Sequence, residues 1–205
     1  MMMIDPISQT QIQPIKRQGP FLIAGLGNPG REFEHNRHNV GFMLLNHLSI
    51  RLGENFSKVE SKALVAKSSY LGERVILVKP QTYMNNSGTA VSSLVHFYKI
   101  ALENLLVAYD DVDLPLGAIR LRPSGGSAGQ KGMQSIIEHL GKDEIPRLRI
   151  GTGRPPGRME AADYVLQDFP SDELELLTET MDRAVESVLT FLHYGLDRAM
   201  NEYNG

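Results

Sequence analysis

The sequence predicts an α/β domain with a mixed β-sheet and helices on both faces. Three observations predict it. Short apolar runs bounded by turn residues alternate with stretches of helical periodicity. Two of those runs, 21–26 (FLIAGL) and 104–109, are continuously apolar, the mark of strands buried on both faces. A second pair, 63–70 and 74–78, is separated only by Leu71-Gly72-Glu73 and reads as a hairpin, so the sheet cannot be wholly parallel.

The elements follow in order. After the strand at 21–26, Val40, Met43, Leu44, Leu48 and Leu52 form one stripe of a helix over 40–52, with Gly53 as its stop. The hairpin comes next. A helix over 87–98 is entered through Asn85-Asn86-Ser87, whose side chains suit capping. The strand at 104–109 runs into a loop, DDVDLPLG, at 110–117. A short strand at 119–122 leads to a loop at 124–132 that holds four glycines. A helix over 132–140, a strand at 147–151, a Gly/Pro loop (GTGRPPG) and a long helix at about 172–192 follow, with a last helix after Gly195. No repeat or linker divides the chain. Residues 20–205 read as one domain and 1–19, polar and rich in Gln and Pro, as a loose arm.

With 205 residues, 41% of them hydrophobic, the chain can bury a sizeable core. No apolar run approaches the roughly 20 residues of a membrane span, and the first twenty lack the apolar centre of a secretory signal. The absence of cysteine excludes disulfides and thiolate metal sites and fits a cytoplasmic setting. The net charge of −3 argues weakly against a nucleic-acid partner, but charge is unevenly spread. Residues 116–154 carry seven Lys/Arg against three acids, and residues 160–205 eleven acids against two arginines. That asymmetry suits one basic and one acidic face, and equally an ordinary solvated surface.

Gly25, Gly27 and Gly30 spell G-x-G-x-x-G after the first strand. A dinucleotide fold needs a helix to start there and an acid at the end of the next strand, about 20 residues on. Residues 31–39 (REFEHNRHN) have almost no apolar face, and the region near 50 is still helical. The dinucleotide reading fails, and no nicotinamide cofactor is expected. The stretch is instead a polar loop carrying Asn28, His35, Asn36, Arg37, His38 and Asn39. Two more polar loops follow strands: KPQTYMNNSG at 79–88 and DDVDLPLG at 110–117. Strand-end loops are where α/β proteins place their sites. A histidine, carboxylates and carboxamides gathered there match metal-free hydrolysis: a base, an acid that orients it, and amides for an oxyanion.

In this order and spacing GLGNPG…NRHNVGF, KPQTYMNNSG, DDVDLPLG, GGSAGQKGM and RLRIGTGRP resemble bacterial peptidyl-tRNA hydrolase. The resemblance covers about 21–194. It implies a single domain with a twisted mixed sheet, and cleavage of the ester joining a peptide to the 3′ end of tRNA, without cofactor or metal. Position by position, it implies a catalytic histidine at His38, its carboxylate partner at Asp110, and functional carboxamides at Asn28 and Asn85. It places a clamp for the tRNA 5′-phosphate at Arg122 and Arg149, and Phe33 and Met84 beside the substrate. Neutral imidazole suits a base near pH 7, its unperturbed pKa being ~6.5. Recognition of many tRNAs implies contacts to phosphate and the CCA end rather than base sequence, and the glycine-rich loop at 125–132 can bring backbone close to the peptide.

The chain also departs from that pattern. Where most relatives read G-G-H-N-G-[LM], it has Ala128-Gly129-Gln130-Lys131-Gly132-Met133. Lysine cannot accept a hydrogen bond, so Lys131 is expected to reach a phosphate or the terminal ribose, or to be a solvated charge. Asn36 replaces a threonine, and Phe33 a tyrosine. Ser87 reads as a cap. His35 and His38 could ligate a metal if helical, but no third ligand is evident. His47, His96, His139 and His193 read as surface or core-edge residues, and the methionines at 43, 133, 181 and 200 as packing. The acidic C-terminal helix could pair in cis, solvate the surface or cover the groove. The rival function is a silent RNA-binding relative of the same fold, of the intron-splicing type; retention of His38, Asp110, Asn28 and Asn85 favours the enzyme. A monomer with no obligate protein partner is expected.

Overall fold

The computed structural model describes residues 19–204, so the arm expected at 1–19 falls outside the described residues except for Gly19. Seven strands form one sheet: β1 (Phe21–Gly25), β2 (Lys58–Glu60), β3 (Ala63–Tyr70), β4 (Glu73–Pro80), β5 (Leu105–Asp111), β6 (Ile119–Arg122) and β7 (Arg147–Gly151). Their order is β2-β3-β4-β1-β5-β7-β6. The central strands β4, β1, β5 and β7 are parallel, while β2–β3, β3–β4 and β6–β7 are antiparallel. The sheet is mixed, as expected. The hairpin turns through Leu71 and Gly72, both at positive φ. β2 was not expected: its three residues, KVE, carry no alternation long enough to register.

The helices are α1 (Val40–Arg51), α2 (Ser87–Phe97), α3 (Lys131–Leu140), α4 (Ala161–Tyr164), α5 (Leu174–Tyr194) and α6 (Leu196–Tyr203). They divide the core in two. On one face Leu44, Leu45 and Leu48 of α1 and Val188, Leu189 and Leu192 of α5 pack with Ile23, Leu77, Leu148 and Ile150 of the sheet. On the other, Val91 and Leu94 of α2 and Met133 and Ile136 of α3 pack with Leu22, Val78, Leu105 and Val107. Both faces of the central strands are therefore covered, which explains their unbroken apolar sequence.

Two details correct the sequence reading. α5 lies on α1 and the core, and contributes nothing to the groove described below, so it is not a cover for it. At the start of α2 no side chain caps the helix; Asn86 Oδ1 instead accepts from Thr89 Oγ1, and the buried Ser87 Oγ donates back to Met84 O at 2.9 Å in the turn Met84–Asn86. The first glycines of the opening motif serve packing rather than phosphate. A Cβ at Gly25 would stand 2.2 Å from Gly41 O, and one at Gly41 would stand 2.4 Å from Leu26 N. Helix α1 thus lies directly on β1.

Candidate active site

Because β4, β1 and β5 are adjacent and parallel, their carboxyl ends share one edge of the sheet. The three polar loops of the sequence meet there, as crossover topology requires. They line a groove of about 430 Å³ that contains Asn28, His38, Met84, Asn85, Asp110 and Lys131.

His38 sits in a single 3₁₀ turn (Arg37–Asn39) immediately before α1. Its Nδ1 is 2.9 Å from Asp110 Oδ2, and both side chains are largely buried. Asp110 lies within β5, not in the loop expected to begin at 110; the strand runs on to Asp111, which places the carboxylate on a rigid element. A carboxylate at Nδ1 takes the Nδ1–H and leaves the Nε2 lone pair free. The second oxygen, Asp110 Oδ1, accepts from Gln130 Nε2 at 3.1 Å.

Asn28 is held on three sides. Its backbone N–H donates to Asn39 Oδ1 at 2.8 Å, Asn39 Nδ2 donates to its carbonyl at 3.0 Å, and its Oδ1 accepts from Met84 N–H at 2.8 Å. Only the Asn28 Nδ2 donors remain for a ligand. Asn85 is exposed on the same groove. Apolar residues of the segment 161–166, namely Ala161, Ala162, Val165 and Leu166, complete the wall.

That wall is fastened to the turn that carries His38. His38 N–H donates to Val165 O at 2.8 Å and Arg37 N–H to Gln167 O at 3.0 Å. The Arg37 guanidinium is buried 4.4 Å from the centre of the Tyr164 ring and 4.7 Å from that of Phe169, donates to Asp168 O at 2.5 Å, and pairs with Glu173 at 2.6 Å. Nothing local in the sequence marks this clamp, whose halves are some 130 residues apart.

The sequence-matched profile of the peptidyl-tRNA hydrolase family spans residues 22–205. The chain belongs to that family. It is 48% identical to the peptidyl-tRNA hydrolase of Thermoanaerobacter sp. (strain X514), over 90% of this chain and 100% of the relative. It is 51% identical to that of Carboxydothermus hydrogenoformans, over 90% and 98%. The crystal structure of peptidyl-tRNA hydrolase from Acinetobacter baumannii superposes with a TM-score of 0.85 at 35% identity, covering 91% of this chain and 95% of that one. The fold and the enzymatic activity, hydrolysis of peptidyl-tRNA, are those of the family.

Against this family background the structure sorts the residues expected from sequence. His38, Asp110, Asn28, Asn85, Met84 and Lys131 share the groove. Phe33 does not line it and lies in a separate 3₁₀ turn, Arg31–Phe33. Arg122 and Arg149 lie on β6 and β7, outside the groove lining. Arg149 Nε pairs with Asp111, which does line it. Register adds what sequence could not: Arg120 stands opposite Arg149 and Arg122 opposite Arg147. Paired and alternate residues share a face, so the four arginine side chains leave the same face of the sheet edge. They do not all serve that surface. Arg147 is buried and donates to the carbonyls of Gly125, Gly126, Asp143 and Ile145, so it staples the glycine-rich loop instead of adding to a basic face. Of the other histidines, His47 faces Asp182 at 3.7 Å and His139 Nδ1 bonds Ser135 O at 2.8 Å; neither lines the groove. Among the described residues no three His, Cys, Asp or Glu side chains gather as a metal site, and no helix is long and apolar enough to cross a membrane.

Proposed function

We propose that His38 activates the water that cleaves the peptidyl-tRNA ester. The observation that carries this reading is the 2.9 Å contact between His38 Nδ1 and Asp110 Oδ2 on the groove wall. His38 Nε2 takes a proton from water as its oxygen attacks the ester carbonyl. Asp110 fixes the tautomer and stabilises the imidazolium. The tetrahedral intermediate collapses, the ester C–O bond breaks, and the ribose oxygen leaves with the proton returned by His38. Free peptide acid and tRNA result.

Asn28 is the better oxyanion donor, because its Oδ1 is already committed to Met84 N–H and its Nδ2 is therefore aimed in advance. Asn85, exposed and lying on the same groove, suits the peptide main chain. Lys131, exposed at the first turn of α3, suits a phosphate or ribose of the CCA end. The 5′-phosphate end lies along Arg120, Arg122 and Arg149, with Arg120 added to the expected pair by its register with Arg149. All these residues come from one chain, so a monomer suffices, and the substrate arises where translation runs, in the cytoplasm.

The test is release of an N-blocked amino acid from tRNA by the purified protein and by His38→Ala. The expected result is loss of nearly all turnover with tRNA binding kept. Equal rates would move water activation to another group.

A further inference from the structure

Gln130 is a groove side chain that touches both the acid proposed for catalysis and the start of α3. It is buried, and each end of its amide has a separate task. Its Oε1 accepts from Met133 N–H at 2.7 Å and so caps α3. Its Nε2 donates to Asp110 Oδ1 at 3.1 Å and lies 3.2 Å from Met84 Sδ. The Asp110 carboxylate is thereby held at both oxygens, by His38 on Oδ2 and by Gln130 on Oδ1. A carboxylate with only one partner can rotate about its Cβ–Cγ bond; one held twice keeps its second oxygen in line with the imidazole.

We propose that Gln130 is a positioning residue for the hydrolysis, fixing the Asp110 carboxylate in the orientation that serves His38. It rests on the reading of His38 and Asp110 given above. It also ties the catalytic acid to the start of α3, one residue before Lys131, so that the catalytic and substrate-holding parts of the groove share one amide. The amide donor carries no charge and does not titrate, so this hold on Asp110 does not depend on a protonation state at position 130.

Gln130→Glu separates the two tasks. The carboxylate still accepts from Met133 N–H, so the cap survives, but no N–H faces Asp110 and a second negative charge stands beside it. With peptidyl-tRNA analogue as substrate, kcat is expected to fall by about 10- to 100-fold, the loss of one hydrogen bond to a charged group, with KM nearly unchanged. The deficit should shrink as pH is lowered, because a protonated Glu regains an O–H donor for Asp110. The other titratable side chains of the groove, Tyr83, Tyr109, Asp111, Lys131 and His38, are common to both proteins, so the ratio of variant to wild-type kcat isolates position 130. Gln130→Leu, lacking both tasks, should lose activity without recovery at low pH and should also lower the urea midpoint. Wild-type kcat in Gln130→Glu, or a kcat ratio independent of pH, would overturn the proposal. His38→Ala measured alongside keeps the two readings apart. If it stays active, the catalytic assignment fails; if it is dead while Gln130→Glu is normal, only the role of Gln130 fails.

Discussion

Lys79, at the end of β4 behind the Asn28 turn, is a buried cation with no carboxylate partner within ion-pair distance among the described residues. It is 7% exposed. Its ammonium group donates to Asn46 Oδ1 and lies 4.1 Å from the centre of the Phe56 ring and 5.8 Å from that of Phe42. Burial pulls its pKa down from 10.5 to about 8, against a small opposing pull from Glu34. In the unfolded chain the amine holds its proton more tightly than in the native protein, so protonation opposes folding. The penalty is in full force below about pH 8 and is relieved as pH rises from about 8 towards 10.5. By linkage it amounts to at most about 3 kcal/mol, the aromatic faces returning part of it. Lys79→Met removes the charge and keeps the stem. Urea unfolding of both proteins at a series of pH values should show the variant gaining stability relative to wild type at neutral pH, with the gap closing above pH 8. Parallel stability profiles would refute the reasoning, because every other titrating group is shared.

Asp110→Asn keeps the shape of the acid but presents the wrong partner to His38 Nδ1, and kcat should fall by about 10⁴-fold with an unchanged urea midpoint; a small kinetic effect would remove the acid from the mechanism. Arg37→Met leaves Glu173 and the Asp168 carbonyl without their buried cation, and should cost at least about 3 kcal/mol in urea unfolding and raise KM through the loosened 161–166 wall. Arg120→Ala and Arg122→Ala should each lower the slope of log K against log [salt] for tRNA binding by about 1, and an unchanged slope would take that residue out of the phosphate contact.

Strand positions were legible where burial on both faces left an apolar run, and β6 and β7 begin and end where the sequence places them. Asp110 was misplaced by one element because acidic residues ending a buried strand look the same as the start of a loop. The short α4 and the three-residue β2 hold too few positions for any period to show. Of the site, the residue types and their three loops could be read directly. Apart from Asp110 as the partner of His38, which the family resemblance implied, the groups that hold them could not. Arg147 is a positive charge in the sequence, and only the carbonyls of the glycine-rich loop decide that it points inward. Gln130 is a poor helix-cap residue by type, and its bond to Asp110 depends on how α3 meets β5. The Arg37 clamp joins residues whose separation along the chain leaves no local trace.

The sheet order has a consequence for when this protein becomes active. β1 supplies the groove only once it is flanked by β4 and β5, and His38 finds its acid 72 positions further along. The glutamine at 130 and the fastening of the turn through Glu173 come later still. On the reading of His38 and Asp110 proposed above, a chain still emerging from a ribosome lacks part of its centre until the segments carrying Asp110, Gln130 and Glu173 have been made.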